Sequence, residues 1–311
     1  MTGAVVGRPK VVVSEVISAV AIEALRDRCD VEIVVGADRD ELLARLGDAA
    51  GLLVRSATRV DAELMTAAPM LEVIGRAGAG VDNIDMEAAA ARGITVVNAP
   101  DASTISVAEH TMALLLAVAR RVPEADASLR AGRWDRNELT GVELYGKTLG
   151  ILGLGRIGVQ VARRAAAFGM RIIAYDPVVY DEQAEALDVE LVGIDDLLAE
   201  ADFLTIHAPR TSDTEGLIDA AALAKMKPTA RVINVARGGI IDEAALAAAV
   251  ADGTIAGAAL DVFVVEPTTN SPLFELPQVV VTPHIGASTN EAQRRAGGTV
   301  VEAMIAALEA G

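Results

Sequence analysis

The sequence predicts an α/β protein with two doubly wound parallel sheets, each in a domain of its own. Short runs of β-branched residues alternate with helical stretches rich in Ala, Leu and Glu, which is the pattern of parallel α/β sheets. The runs are almost entirely apolar, as expected of strands that are covered on both faces. A chain of 311 residues is long enough for about two domains, each with a core.

The first sheet is predicted in the N-terminal part of the chain. Its strands are expected at Lys10–Val13, Val31–Val35, Gly51–Val54, Leu71–Gly75 and Ile94–Asn98. Helical patterns separate the strands, for example at Ser18–Arg28 and Asp38–Leu46. A long helical segment, Ala102–Arg121, then leads into a looser stretch, 122–147, with no obvious core element.

The second sheet is predicted in the remainder of the chain. Its strands are expected at Thr148–Leu152, Arg171–Tyr175, Phe203–Ile206, Arg231–Val235, Ala256–Asp261 and Val279–Thr282. One helix, Ser288–Glu309, follows the last strand and is too short to form a domain, so it must pack on a part already folded. We therefore expect one domain from residues 1–99 and 287–311, and a second from residues 100–286.

Composition excludes several classes of function. With 27 basic and 44 acidic residues the net charge is −17, which argues against nucleic acid as a partner. No apolar run approaches the ~20 residues that span a bilayer, and charges interrupt the N-terminal residues where a signal peptide would lie. A single cysteine, Cys29, and the lack of Cys/His clusters predict neither a disulfide nor a metal site. We expect a cytoplasmic globular protein without membrane contact.

The motif Gly153-Leu-Gly155-Arg-Ile-Gly158 carries the clearest chemistry. It directly follows a predicted strand and opens the predicted helix Arg156–Phe168. The first glycine permits a tight turn, the second lets backbone approach a pyrophosphate, and the third allows close packing of helix on strand. Asp176 ends the next strand, where a carboxylate can accept the ribose hydroxyls of NAD and repel the 2′-phosphate of NADP. NAD is the expected cofactor; the alternative is a glycine-rich turn with an unrelated acid.

Three further polar residues follow strands of the second sheet, at the edge where its ligands should bind. Arg237 can hold a carboxylate, His284 can exchange a proton near neutral pH, and Glu266 would orient the imidazole and raise its pKa. Beside a nicotinamide, this set predicts oxidation of an alcohol next to a carboxylate. Taken singly, each could be an ordinary surface residue. Of the other histidines, His110 is expected to be structural, and for His207 a local hydrogen bond is favoured over chemistry.

Longer motifs resemble the D-isomer-specific 2-hydroxyacid dehydrogenases over essentially the whole chain. The motifs are Arg55-Ser-Ala-Thr58, Gly75-Arg-Ala-Gly-Ala-Gly-Val-Asp-Asn83, Asn234-Val-Ala-Arg-Gly-Gly239, Leu260-Asp-Val-Phe-Val-Val-Glu-Pro267 and Pro283-His-Ile-Gly-Ala-Ser-Thr289. The resemblance implies a Rossmann NAD domain, a discontinuous flavodoxin-like substrate domain, and Arg237, Glu266 and His284 as the catalytic residues.

The resemblance also implies cofactor contacts beyond the three glycines. They are Ala79, Arg156, Ile157, Asp176, Ala208, Val235, Ala236, Asp261, Ile285, Gly286 and Ala287. Among these, the Asp261 carboxylate is expected to meet the carboxamide of the nicotinamide.

The substrate implied by the resemblance is D-3-phosphoglycerate, oxidised to 3-phosphohydroxypyruvate in the first step of serine synthesis. A phosphate dianion requires cations, and Arg55 and Arg76 follow strands of the first sheet. Ser56 adds a neutral donor, and Gly78 allows the backbone to approach closely. Alternatively, both arginines only make surface ion pairs, and the substrate is another 2-keto acid such as glyoxylate or hydroxypyruvate. A more distant alternative is an NAD(H)-sensing interaction protein.

Assembly and regulation can also be inferred from the resemblance. The segment with Trp134 and Arg136 is expected to reach across a homodimer interface of the NAD domain; the alternative is that Trp134 anchors within its own chain.

Ser103 stands where better-known members have an Asn that contacts substrate, so that contact is expected to be lost or made through water. Many members continue into C-terminal domains that bind serine, whereas this sequence ends at Gly311, so we expect no response to L-serine.

Overall fold

The computed structural model describes residues 8–310, and it divides the chain into two compact units. The first unit is Met1–Ser103 with Ala287–Gly311, and the second is Thr104–Gly286. Residues 1–7 and 311 of the expected first domain lie outside the described residues. The first crossing between units therefore falls after Ser103 instead of after residue 99.

The first unit contains a five-stranded parallel sheet. Its strands are β1 Lys10–Val13, β2 Asp30–Ile33, β3 Gly51–Val54, β4 Val73–Arg76 and β5 Thr95–Asn98, in the order β2-β1-β3-β4-β5. This is the flavodoxin-like order. Helices α1 Ala19–Arg26, α2 Arg39–Arg45, α3 Ala62–Ala67 and α4 Met86–Ala91 connect the strands. Aspartates cap the last three, because each carboxylate accepts a backbone N–H from the first turn.

The second unit contains a seven-stranded parallel sheet. Helices α5 Thr104–Arg120 and α6 Val122–Arg130 precede its strands β6 Thr148–Leu152, β7 Arg171–Tyr175, β8 Glu190–Leu191, β9 Phe203–Ile206, β10 Arg231–Asn234, β11 Gly257–Leu260 and β12 Val279–Val281. Helices α7 Arg156–Ala167, α8 Asp181–Glu185, α9 Ile194–Glu200, α10 Ala220–Ala224 and α11 Glu243–Ala251 lie between strands, with a 3-10 turn at Pro272–Glu275. The order β12-β11-β10-β9-β6-β7-β8 reverses direction between β6 and β9. This is the Rossmann arrangement, in which ligands bind where the direction reverses, and the predicted fold class is confirmed.

The last helix, α12 Asn290–Ala310, belongs to the first unit and packs on α1, β4 and β5. Its residues Val300, Val301 and Met304 are buried in the core of that unit. A Cβ at Gly75, in the middle of β4, would lie 2.1 Å from Met304 Sδ. The glycine therefore lets the helix lie directly on the sheet.

Two elements differ from the sequence prediction. The stretch 122–147 contains helix α6, and the sheet has an extra edge strand, β8, of only two residues. Trp134 follows α6 and is 79% exposed, so it is not an anchor within its own chain. Within residues 8–310, no helix is both long enough and apolar enough to cross a membrane.

Candidate active site

The glycine motif forms the turn between β6 and α7, and each glycine meets a different demand. Gly153 has φ +94°, and a Cβ there would lie 2.7 Å from the backbone nitrogen of Ala208. A Cβ on Gly158 would lie 2.3 Å from the carbonyl oxygen of Gly153, so this glycine sets the close approach of helix to strand. Gly155 is the N-cap of α7, and no described atom lies within 4 Å of its Cβ position. Bare backbone at a helix N-terminus with open space beside it fits a pyrophosphate.

Asp176 follows β7 and is held against the glycine turn. Its Oδ2 accepts the N–H of Leu154 at 2.8 Å, and its Oδ1 accepts the N–H of Val178 at 2.9 Å. Each oxygen retains capacity for another donor. The carboxylate is therefore fixed where it could accept the hydroxyls of a ribose whose phosphates lie at α7.

His284 and Glu266 form the shortest polar pair of the site. Nδ1 of His284 lies 2.5 Å from Oε2 of Glu266, and Oε1 of Glu266 accepts the N–H of Phe263 at 2.8 Å. His284 has a left-handed backbone, with φ 53°, a conformation that few residues other than glycine adopt. Because Nδ1 is engaged with Glu266, Nε2 is the nitrogen left for proton exchange with a ligand.

This pairing changes the pKa of both groups. The hydrogen bond to Glu266 raises the pKa of His284, although burial and the positive charge of Arg237 act in the opposite direction. Burial raises the pKa of Glu266, but the hydrogen bonds from His284 and Phe263 lower it by more, so the net pKa lies below its ordinary value. The pair therefore favours an ionised carboxylate beside an imidazole that binds its proton firmly.

A buried carboxylate, Asp261, holds the loop that carries His284. Asp261 is 1% exposed, and it accepts the N–H of Ile285 and of Gly286, each at 2.8 Å, and the hydroxyl of Thr282 at 2.6 Å. The N–H of His284 donates to the carbonyl oxygen of Asp261 at 2.8 Å. The position of the imidazole is thus set from the end of β11.

The sequence predicted a structural role for His110 but did not predict that His110 and Thr282 join this network. His110, on α5, places Nε2 3.0 Å from Oγ1 of Thr282 and 3.3 Å from Oδ1 of Asp261. Burial raises the pKa of Asp261, but the hydrogen bonds from His110, Thr282 and the loop N–H groups lower it by more. The sequence offered only a histidine between Glu109 and Thr111 on a predicted helix, and its partners lie far along the chain.

His207 follows β9, next to the glycine turn. Its Nε2 lies 3.0 Å from Oγ1 of Thr205, and its buried Nδ1 has no hydrogen-bond partner among the described residues. Burial lowers the pKa of His207 to about 3. The imidazole is therefore neutral at physiological pH.

Arg237 lies in the turn after β10, which is shaped by Asn234. The Asn234 amide donates to the carbonyl oxygen of Arg237 at 2.9 Å, and its Oδ1 accepts the N–H of Ala236 at 3.0 Å. A Cβ on Gly238 would lie 2.0 Å from the carbonyl carbon of Phe263. This glycine lets the turn pack on the loop that leads to Glu266, and the charge of Arg237 lies close enough to His284 to lower the pKa of its imidazole.

The other predicted cofactor residues divide between the two units. Arg156 and Ile157 form the first turn of α7, Ala208 contacts the glycine turn, and Val235 and Ala236 are buried after β10. Ala79 and Ala287 belong to the first unit. The side-chain amide of Asn98 donates a hydrogen bond to the carbonyl oxygen of Ala79 at 2.6 Å.

Of the predicted substrate residues, Arg55 and Ser56 follow β3, Arg76 is the last residue of β4, and Gly78 lies just after it. Nη1 of Arg55 lies 3.5 Å from the carbonyl oxygen of Val16, and Ser56 is exposed. A Cβ on Gly78 would lie 2.0 Å from Nη1 of Arg76, so the guanidinium lies directly over this glycine. Ser103 is buried.

The Rossmann sheet and the glycine turn at its switch point define a dinucleotide-binding α/β protein, and the histidine–glutamate pair lies at the same edge of the sheet. Residues 112–286 match the model of the D-isomer specific 2-hydroxyacid dehydrogenase NAD binding domain. The D-3-phosphoglycerate dehydrogenase of Mycobacterium tuberculosis (strain ATCC 25618 / H37Rv) is 55% identical over 300 residues, which are 96% of this chain and 57% of that relative. The chain therefore spans little more than half the length of this curated relative.

Solved structures agree over nearly the full length of the chain. The TT0316 protein of Thermus thermophilus superposes with a TM-score of 0.90 at 40% identity, and 97% of each chain is covered. A D-lactate dehydrogenase of Aquifex aeolicus, complexed with NAD and lactic acid, gives a TM-score of 0.85 at 30% identity, with 96% of each chain covered. The chain belongs to the D-isomer specific 2-hydroxyacid dehydrogenase family.

Proposed function

We propose that this chain catalyses the NAD-dependent oxidation of D-3-phosphoglycerate to 3-phosphohydroxypyruvate, the first step of serine biosynthesis. The observation that carries the proposal is the 2.5 Å contact between His284 and Glu266 at the sheet edge that also presents the glycine turn. The 55% identity to a D-3-phosphoglycerate dehydrogenase supports this substrate.

The residues of the second unit fit NAD. The bare backbone at Gly155 and the N-terminus of α7 would hold the pyrophosphate, and Asp176 would accept the ribose hydroxyls. Among the described residues, Oδ2 of Asp261 accepts only the N–H of Gly286 and so retains capacity for the carboxamide of the cofactor. When bound, NAD supplies the acceptor for the hydride that leaves C2 of the substrate. Further contacts are proposed at Ala79, Gly153, Arg156, Ile157, Gly158, Ala208, Val235, Ala236, Ile285 and Ala287.

In the proposed reaction, His284 transfers the proton. In the oxidising direction, its neutral Nε2 takes the proton of the substrate hydroxyl, and Glu266 stabilises the imidazolium that forms. Arg237 holds the substrate carboxylate and stabilises the carbonyl oxygen as it develops. The hydrogen bond from Nη1 of Arg237 to the carbonyl oxygen of Ala236, at 2.7 Å, steadies the guanidinium.

Recognition of the phosphate is proposed for the first unit. Arg55 and Arg76 supply the positive charge, Ser56 supplies a hydroxyl, and Gly78 leaves room for the guanidinium of Arg76. Hydrogen bonds to charged groups contribute roughly 1.5–3 kcal/mol each, so that losing one arginine should reduce kcat/KM for the phosphorylated acid by about 10- to 150-fold.

The test is turnover of 3-phosphoglycerate with NAD, followed by the absorbance of NADH. Arg55→Ala and Arg76→Ala should lose most of their kcat/KM for 3-phosphoglycerate and far less for hydroxypyruvate, whose carboxylate Arg237 still holds. Equal losses on both substrates would show that these arginines do not recognise the phosphate.

A plain 2-hydroxy acid is the second candidate substrate, because the similar Aquifex aeolicus structure is a D-lactate dehydrogenase complexed with lactic acid. Higher kcat/KM for lactate, glyoxylate or hydroxypyruvate than for the phosphorylated substrate would favour it. Binding of NADH without turnover of any of these acids would instead favour an NAD(H)-sensing interaction protein.

We also propose a cytoplasmic homodimer formed through the second unit. Trp134 is 79% exposed, and Leu129 on α6 is 58% exposed, so this segment presents large apolar side chains to solvent. Tryptophan is enriched at protein interfaces, because its large ring gains most from burial there.

A further inference from the structure

Glu15 follows β1 and binds the backbone of the loop after β3. Its Oε1 accepts the N–H of Arg55 at 2.8 Å and the N–H of Thr58 at 3.0 Å, and its Oε2 accepts the N–H of Ala57 at 3.2 Å. A single carboxylate thus receives three backbone donors of one short loop. Hydrogen bonds to an ionised acceptor are stronger than neutral ones, so this loop is tied firmly to β1.

The same loop is fixed from a second direction. The side-chain nitrogen of Asn83 donates to the carbonyl oxygen of Arg55 at 2.9 Å and to that of Thr58 at 2.7 Å. The hydroxyls of Ser14 and Thr58 lie 2.8 Å apart. Both ends of the segment 55–58 are therefore held by side chains of other loops.

Ser56 is the one residue of the segment 55–58 whose N–H is not bound by Glu15. Among residues 8–310 its N–H and its hydroxyl have no hydrogen-bond partner, and Ser56 is exposed. The guanidinium of the neighbouring Arg55 has no carboxylate partner among the same residues, and its hydrogen bond to the carbonyl oxygen of Val16 is long, at 3.5 Å. The loop thus presents an N–H, a hydroxyl and a guanidinium, which together suit a phosphate.

We propose that Glu15 is a positioning residue for phosphate recognition: by binding the three flanking N–H groups, it orients Ser56 and Arg55 toward the substrate phosphate. This rests on the function proposed above. Charge alone predicts the opposite effect of Glu15, because a carboxylate near a dianion weakens its binding. Removing the charge of Glu15 should therefore weaken binding of the phosphorylated substrate if Glu15 positions the loop, and strengthen it if only electrostatics matter.

The experiment compares Glu15→Gln and Glu15→Asp with a matched control, Glu23→Gln, which removes one exposed carboxylate from α1 of the same unit. In Glu15→Gln an amide N–H₂ replaces one acceptor oxygen and faces a backbone donor. We expect kcat/KM for 3-phosphoglycerate to fall by up to about 100-fold, because a small displacement of a substrate-positioning group can have an effect of that size. The change should appear chiefly in KM. Hydroxypyruvate reduction should change far less, Glu15→Asp should recover part of the loss, and Glu23→Gln should match the parent chain.

A double variant tests whether Glu15 acts through the loop. If it does, Glu15→Gln/Arg55→Ala should lose little more than Arg55→Ala alone, since the two changes remove one shared function. Unchanged or tighter binding of 3-phosphoglycerate by Glu15→Gln would overturn the proposal. So would equal losses on both substrates with a lower Tm, which would show a purely structural role.

A readout independent of turnover separates this proposal from the proposed function. Inorganic phosphate, titrated into the parent chain, should shift the amide resonance of Ser56, and the shift should be lost in Glu15→Gln. If 3-phosphoglycerate is not turned over but this phosphate response is present and depends on Glu15, the substrate assignment fails and the positioning role stands. If phosphate leaves the Ser56 resonance unmoved in the parent chain, the positioning role fails.

Discussion

The raised pKa of His284 has a direct consequence for pH dependence if, as proposed, this residue is the base of the reaction. Oxidation requires the neutral imidazole, so kcat/KM should fall as pH decreases through the pKa of His284. The hydrogen bond to Glu266 raises that pKa. Glu266 therefore makes His284 a stronger base and moves the acid limb of the profile to higher pH.

Replacing Glu266 by Gln should move this limb to lower pH, because the imidazolium loses its ionised partner. The maximal rate should drop by roughly 100-fold or more, within the range that general acid–base catalysis contributes. The measurement is the pH profile of kcat/KM for the parent chain and Glu266→Gln. The reverse reduction, which needs the imidazolium, should shift its alkaline limb in the same direction. An unmoved acid limb would mean that another group titrates.

Asp176 should determine the choice between NAD and NADP. Its carboxylate is fixed by the N–H groups of Leu154 and Val178, so it cannot easily turn away from a 2′-phosphate. Asp176→Ala should raise the KM for NAD and narrow the difference between the two cofactors. Steady-state kinetics with both cofactors provide the test, and equal use of NADP by the unaltered chain would contradict the assignment.

At the scale of the element, two glycines of the glycine turn are expected to serve different purposes: Gly158 stability, and Gly155 cofactor binding. Gly158→Ala places a Cβ 2.3 Å from a backbone oxygen, so α7 must move, and the variant should lose stability. The Cβ of Gly155→Ala would meet no described atom within 4 Å, so the Tm of this variant should stay near the parent value. NAD binding should weaken, because the Cβ occupies the space proposed for the pyrophosphate. Thermal unfolding and NADH fluorescence titration measure the two effects. A destabilised Gly155→Ala variant with normal NADH affinity would reverse this assignment.

The sequence predicted those elements that carry a strong local pattern. β1, β3 and β6 have the predicted bounds because their apolar runs are continuous and buried. β8 was missed because two residues carry no detectable period. α6 was missed because its one buried residue, Ser128, is polar, so the helix shows no apolar face.

The candidate site shows the same limit. Glycine spacing and the strand ends were enough to single out Asp176 and His284. The network of Asp261, His110 and Thr282 was not foreseen, because it joins α5 to the ends of two strands. Only tertiary packing brings these side chains together.

At the scale of the whole molecule, the exposed indole of Trp134 predicts association. We expect the chain to sediment as a dimer at assay concentrations, and Trp134→Glu to shift it toward monomer by placing a charge in the interface. Val20→Glu is a matched control, because Val20 is 74% exposed but lies on α1 of the first unit. A fully active monomer of the parent chain would rule the dimer out.

The position of α12 also affects how the chain matures on the ribosome. The second unit is continuous and can fold as it emerges, whereas the first unit needs α12, which is translated only after the second unit. Until then, the face of β4 around Gly75 and Val73 lacks its cover. Domains usually mature in the order of their synthesis, and exposed apolar sheet surface makes nascent chains prone to aggregate. Here the part that is translated first is completed last, so the first sheet gains its full cover only once α12 has been synthesised.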